Sequence, residues 1–124
     1  MISFLTCLVS LALASRALAD DLLVKLQDGS MVNGHYAETG NREWAGIPFA
    51  APPVGAMRWQ FPAEPAPLQG TFEADVLAPG CPQICHLPYG SCPETTSEDC
   101  LYLSVWAPTK PSEDPAGYAI HMHI

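Results

Sequence analysis

From Asp21 to Gln27, Leu22, Val24 and Leu26 take alternate positions, and Leu23, Lys25 and Gln27 fall on the other face. A period of two predicts a strand. Asp28-Gly29 follows, a pair that tolerates positive φ and predicts a tight hairpin turn. Ser30 to Glu38 then reads as the return strand, Thr39-Gly40-Asn41 as a second turn, and Arg42 to Phe49 as a third strand ended by Pro48. The expected product is a small antiparallel meander.

The pattern changes after Phe49. Ten of the 13 prolines lie between residues 48 and 93, and each removes an amide donor and disfavours helix at the preceding residue. Long helices are excluded there. Phe49, Met57, Trp59, Phe61, Phe72, Val76 and Leu77 punctuate the segment as apolar anchors, which predicts an ordered coat lying on a larger body. Leu101 to Trp106 is apolar on both faces, with Leu101, Leu103 and Val105 on one and Tyr102 and Trp106 on the other, and predicts a strand buried inside a sheet. Residues 107–117 form a Pro-rich polar connection, and a further strand is expected from Tyr118 to Ile124.

Ahead of these elements stands an apolar run from Leu5 to Ala14, about the length of a secretory h-region. Ala17-Leu18-Ala19 follows, with small residues where a signal peptidase reads, so residues 1–19 are expected to be a signal peptide. The run is too short for a stable bilayer-spanning helix. Its removal leaves Lys25, Arg42, Arg58 and Lys110 against 13 acidic side chains, a net charge of −9. That charge argues against nucleic acid and anionic lipid as partners. Cys7 leaves with the leader, and Cys81, Cys85, Cys92 and Cys100 remain. An even number in an exported chain implies disulfides, with three connectivities open.

Glu98-Asp99-Cys100-Leu101-Tyr102-Leu103-Ser104-Val105-Trp106-Ala107-Pro108 resembles a diagnostic motif of the type-B carboxylesterase and cholinesterase-like family. Gly46-Ile47-Pro48-Phe49-Ala50-Ala51-Pro52-Pro53-Val54-Gly55 resembles that family's N-terminal hallmark, Arg58-Trp59-Gln60-Phe61-Pro62 the segment after it, and Pro79-Gly80-Cys81-Pro82-Gln83 the site of its first cysteine. The four occur in the family's order. The resemblance implies an α/β class: residues 20–124 as the N-terminal part of an α/β-hydrolase, mostly strand and Pro-rich coil, truncated before the glycine-rich oxyanion loop. It implies a disulfide between Cys81 and Cys100, worth about 3 kcal/mol of unfolded-chain entropy for a loop of this size. Cys85 and Cys92 are then expected to pair inside that loop. It further implies a structural ion pair between Arg58 and Glu98.

The family hydrolyses carboxylic esters with a Ser–carboxylate–His triad, the Ser on a Gly-x-Ser-x-Gly elbow. Ser15, Ser30, Ser91, Ser97, Ser104 and Ser112 all lack the elbow, so no catalytic residue is expected within this chain. His121 and His123 share a strand face, but ordinary strand positions explain them. A metal site built on Cys81, Cys85, His86 and a distant His is conceivable, but its spacing is not that of a standard zinc motif, and disulfides explain the cysteines better. Tyr89 is a candidate for lining a substrate gorge, as the corresponding loop does in cholinesterase relatives. The expectation is therefore a secreted ester hydrolase whose N-terminal part is inactive alone, with a small-molecule ester as substrate, no cofactor and no membrane span after signal cleavage. Two readings compete with it: a non-catalytic cholinesterase-like adhesion module, and a small secreted disulfide-rich protein that folds alone.

Overall fold

The computed structural model describes residues 21–88 and 90–123. The expected signal peptide lies outside these residues. Among these residues, six short strands and one turn of 3₁₀-helix, Gly55–Met57, make up the regular structure. No described helix is long and apolar enough to cross a membrane.

Strands β1 (Leu23–Lys25) and β2 (Met31–Asn33) pair antiparallel across the Asp28-Gly29 turn. Gly29 has φ 91°, which glycine adopts without strain. The Asp28 carboxylate accepts from the Ser30 amide at 2.9 Å and from its hydroxyl at 3.0 Å. Those two bonds favour the ionised form and hold the Asp28 carboxyl below its ordinary value.

The return strand is not continuous. It breaks at Gly34 into β2 and β3 (His35–Tyr36), which belong to different sheets. The cause is Trp44. A Cβ on Gly34 would lie 2.5 Å from the Glu43 carbonyl oxygen and 2.7 Å from two atoms of the indole. The chain passes close over the ring there, and only glycine fits. The Leu22 carbonyl accepts from both the Gly34 amide, at 3.0 Å, and the Trp44 indole N–H, at 2.7 Å. The expected meander is thus replaced by two three-stranded sheets, ordered β1-β2-β5 and β3-β4-β6.

Strand β5 (Thr71–Glu73) pairs parallel with β2, an element hidden in the Pro-rich stretch. Ala74, fully buried, then joins the sheets: its amide donates to the Asn33 carbonyl at 2.7 Å, and its own carbonyl accepts from the Ala45 amide at 2.9 Å. The core is Val32 from one sheet, Trp44 from the other and Ala74 between, with Leu26, Ile47, Leu68 and Phe72 packed against it. Burying an indole this completely contributes on the order of 4 kcal/mol.

In the second sheet β4 (Arg42–Pro48) runs antiparallel to both β3 and β6 (Tyr102–Ala107). The Arg42 guanidinium donates to the Pro108 carbonyl from Nη2 at 2.7 Å and Nε at 3.2 Å, which ties down the end of β6. Its carbon Cζ lies 5.8 Å from the Trp44 ring centre. The expected burial of this strand on both faces depends on neighbours that the described residues do not supply. Among the described residues β6 pairs along one edge only, and Leu103, Val105 and Trp106 are 41%, 44% and 58% exposed. Exposed residues therefore occur on both faces of β6, Leu103 and Val105 on one and Trp106 on the other. The strand expected from Tyr118 does not form: residues 118–123 pair with none of the strands. Ile124 lies outside the described residues.

A register shift separates Trp44 from Ile47 along β6, and Gly46 fills it with φ 69°. A Cβ there would stand 2.5 Å from the Val76 carbonyl oxygen. The Ser104 hydroxyl accepts from the Gly46 amide at 3.3 Å and covers the gap in the ladder. Gly46→Ala is expected to lower stability by about 1–3 kcal/mol, from both backbone strain and the close contact. Urea unfolding followed by intrinsic tryptophan fluorescence measures it, and an unchanged midpoint would show that the bulge does not require glycine.

Candidate functional site

The four described cysteines and the acidic motif before β6 belong to the loop from Cys81 to Cys100. Its neck is made by backbone: the Gly80 amide donates to the Thr95 carbonyl at 3.0 Å, and the Ser97 amide donates to the Gly80 carbonyl at 3.0 Å. Gly80 is required because the Pro93 ring sits 2.5 Å from where a Cβ would be. The structure pairs Cys81 with Cys100, Cα atoms 5.0 Å apart, and Cys85 with Cys92, Cα atoms 5.9 Å apart. The second disulfide is nested inside the first. Both cysteines of the conceivable metal set are therefore consumed, and no group of three or more metal-ligating side chains occurs among the described residues. Tyr89 lies outside the described residues.

The acidic motif before β6 is a structural knot. Ser97 Oγ accepts from the Asp99 amide at 3.1 Å. Glu98 Oε1 lies 3.3 Å from Arg58 Nη1, which links the Pro-rich segment to the motif. Both side chains are about half exposed, at 53% and 46%, so solvent screens the pair and its worth is about 0.2–1 kcal/mol. Cys100 then anchors the chain as β6 begins, and the Leu101 carbonyl accepts from the Phe49 amide at 3.1 Å. The motif around the start of β6 is thus pinned to the Gly46–Gly55 segment by main chain and to the Arg58–Pro62 segment by charge.

Four serine hydroxyls are engaged in hydrogen bonds. Ser30 bonds Asp28, Ser97 receives the Asp99 amide, Ser104 receives the Gly46 amide, and Ser112 donates to the Gly117 carbonyl at 2.8 Å. His86, His121 and His123 are exposed. His35 is the one histidine drawn into the fold among the described residues: its ring nitrogens lie 3.4 Å from Glu43 Oε2 and 3.3 Å from the Ala74 carbonyl. Nothing in the strand alternation marks it, because its partners come from β4 and from the residue after β5. An open groove of about 370 Å³ is lined by Leu26, Asp28, Ile47, Glu64 and Leu68 among others. Its lining contains no Ser, His, Cys or Lys side chain, and its ionisable groups are the Asp28 and Glu64 carboxylates.

Residues 20–123 match the Carboxylesterase family. The fumonisin B1 esterase of Sphingopyxis macrogoltabida is 44% identical over 89 residues, which span 72% of this chain and 16% of that protein. Human (Homo sapiens) neuroligin-2 is 38% identical over 84 residues, spanning 55% of this chain and 10% of that protein. Among solved structures, a thermophilic PNB esterase superposes with a TM-score of 0.60 at 41% identity, over 73% of this chain and 19% of that one. The chain therefore spans less than a fifth of the length of each of these three relatives. Its two small sheets match the N-terminal part of carboxylesterase α/β-hydrolase structures.

One group in the knot titrates away from its ordinary value. The Tyr102 phenol donates to the Asp99 carboxylate, and that bond, with burial and the carboxylate's charge, raises its pKa above 10.0. The folded chain favours the protonated phenol. Its contribution to stability is therefore complete below the ordinary tyrosine range and is lost as pH rises through the raised value. Asp99→Asn is expected to bring this titration back toward the ordinary value. The difference is readable as phenolate absorbance against a Tyr102→Phe reference, and a titration unmoved by Asp99→Asn would break the assignment.

Proposed function

The chain belongs to the carboxylesterase family, and from that membership we propose that it forms the N-terminal layer of a secreted carboxylic ester hydrolase and carries none of the reacting groups. The observation that carries this reading is the match of residues 20–123 to the family together with a span of only 16% of a 44% identical esterase. In the whole enzyme a serine outside this span attacks the ester carbonyl and forms an acyl-enzyme, which water hydrolyses. The role of the present residues is to brace that machinery. The nested disulfides, the Arg58–Glu98 pair and the Asp99–Tyr102 contact make a stiff mount for β6.

The uncovered apolar surface supports the layer role. Trp59 and Phe61 are each 94% exposed and Ile120 is 91% exposed. Trp59 also holds φ 63°, a left-handed backbone that costs a non-glycine residue about 1–2 kcal/mol. A bulky ring held outward at that cost fits a side chain that packs against further protein.

A second reading within the family is a non-catalytic cholinesterase-like adhesion module. The two separate on one feature. A Gly-x-Ser-x-Gly elbow encoded in frame beyond Ile124 marks the hydrolase, and a replaced serine marks the non-catalytic module.

The exported product is expected to begin at Asp20 and to turn over no p-nitrophenyl ester above the buffer blank. Mass spectrometry of the secreted chain and a chromogenic assay measure the two. Turnover that disappears on Ser104→Ala, or on substitution of any other serine or histidine of this chain, would overturn the assignment of the chemistry elsewhere. An intact leader on the product would overturn the secreted reading.

A further inference from the structure

Asn33 and Gly34 stand next to each other in sequence. An Asn-Gly bond is chemically labile, because glycine leaves its own amide nitrogen unshielded. That nitrogen attacks the Asn side-chain carbonyl carbon. The new N–Cγ bond forms as the Cγ–Nδ2 bond breaks, and the amide proton leaves with the side-chain nitrogen as ammonia. Water then opens the resulting succinimide at either carbonyl, which yields aspartate or isoaspartate. No oxidant or cofactor takes part.

This chain cannot exchange Gly34 for a safer neighbour. A Cβ would meet the Glu43 carbonyl oxygen at 2.5 Å and the Trp44 indole at 2.7 Å, against the residue on which the core is built. The labile bond is therefore imposed by packing. Three features oppose its reaction in the folded chain. Asn33 ends a strand, and extended backbone keeps the Gly34 nitrogen away from Cγ. The Gly34 amide is committed to the Leu22 carbonyl at 3.0 Å. The Asn33 side-chain amide donates to Glu73 Oε2 at 2.7 Å, which holds it toward the neighbouring strand.

We propose that Asn33 is a deamidation site that the fold holds shut, and that its conversion to an acid opens the junction between β2 and β5. Asn33 and Glu73 are directly opposed across that pair. An acid at position 33 loses the donor that Glu73 accepts and sets two carboxylates where a 2.7 Å hydrogen bond stood. Like charges directly opposed across a ladder destabilise it. Asn33 Oδ1 is already buried without a hydrogen-bond partner among the described residues, so the new charge has no donor waiting there. Isoaspartate reroutes the main chain through the side-chain carbons and turns the Asn33 carbonyl, which receives the Ala74 amide at 2.7 Å, into a pendant carboxylate. Ala74 is the residue that joins the two sheets, so local damage at position 33 reaches the whole core.

The test ages the full chain at mildly alkaline pH, in native buffer and in parallel in concentrated urea with the disulfides intact. The tryptic peptide from Leu26 to Arg42 contains both Asn33 and Asn41, so Asn41, followed by arginine, is an internal control. In urea Asn33 is expected to convert well ahead of Asn41. In native buffer its conversion is slowed at least about tenfold, equivalent to about 1.4 kcal/mol of opening free energy. Glu73→Ala is expected to raise the native rate while leaving the urea rate unchanged. The aged chain should melt lower than the fresh one, and the drop should shrink in Glu73→Gln, where no second carboxylate is present. Equal Asn33 rates in the two solvents would overturn the fold-held site. A melting drop as large in Glu73→Gln as in the parent would overturn the junction as its consequence.

Discussion

The indole of Trp44 is the constraint on which the rest of this structure depends. Its N–H donates to the Leu22 carbonyl, which fastens the first strand to the fourth across more than twenty residues of chain. Its face demands a glycine at position 34, and the close passage there turns one expected strand into two, in separate sheets. Its edge packs with Val32 and Ala74, so the two sheets share one small core. Arg42 reaches from beside the ring to Pro108 and draws the end of β6 into the same arrangement. A buried polar N–H left without its acceptor would cost more than the bond itself contributes, which makes the Trp44–Leu22 contact an obligatory geometry as much as a favourable one.

Around that centre the family-like segments act as mechanical parts. Gly46 opens the bulge in β4 and Ser104 on β6 closes it. Arg58 meets Glu98, Asp99 meets Tyr102, and two nested disulfides shorten the loop between them. Each link ties a segment with no regular structure of its own to a strand that has some. The half-exposed ion pair contributes little free energy, whereas the covalent links remove freedom from the unfolded chain and contribute more. The arrangement positions β6, and β6 presents its remaining edge and a partly apolar face outward.

The same packing that secures the core imposes a chemical weakness. Glycine at position 34 is required by the indole, and it follows an asparagine whose side chain serves the neighbouring strand. Stability and chemical durability are coupled at that bond, because the hydrogen bonds that hold the sheets together are the ones that keep the reacting atoms apart.

By itself the sequence determined the local geometry. Alternation from Leu22 to Leu26, the Asp28-Gly29 and Thr39-Gly40-Asn41 turns, the strand from Arg42 and the strand near Leu101 to Trp106 depend on neighbours a few residues apart, and the structure has each of them. The motifs before β6 also carried the family resemblance, since residue identity in order needs no coordinates. Tertiary structure alone decided what lies between distant segments. The break at Gly34 is a consequence of a ring ten residues later, and the parallel pairing of Thr71–Glu73 with β2 joins segments about forty residues apart inside a Pro-rich stretch whose composition conceals it. The exposure of Leu103, Val105 and Trp106 follows equally from what packs on them, because periodicity tells which residues share a face and only packing tells whether that face is covered.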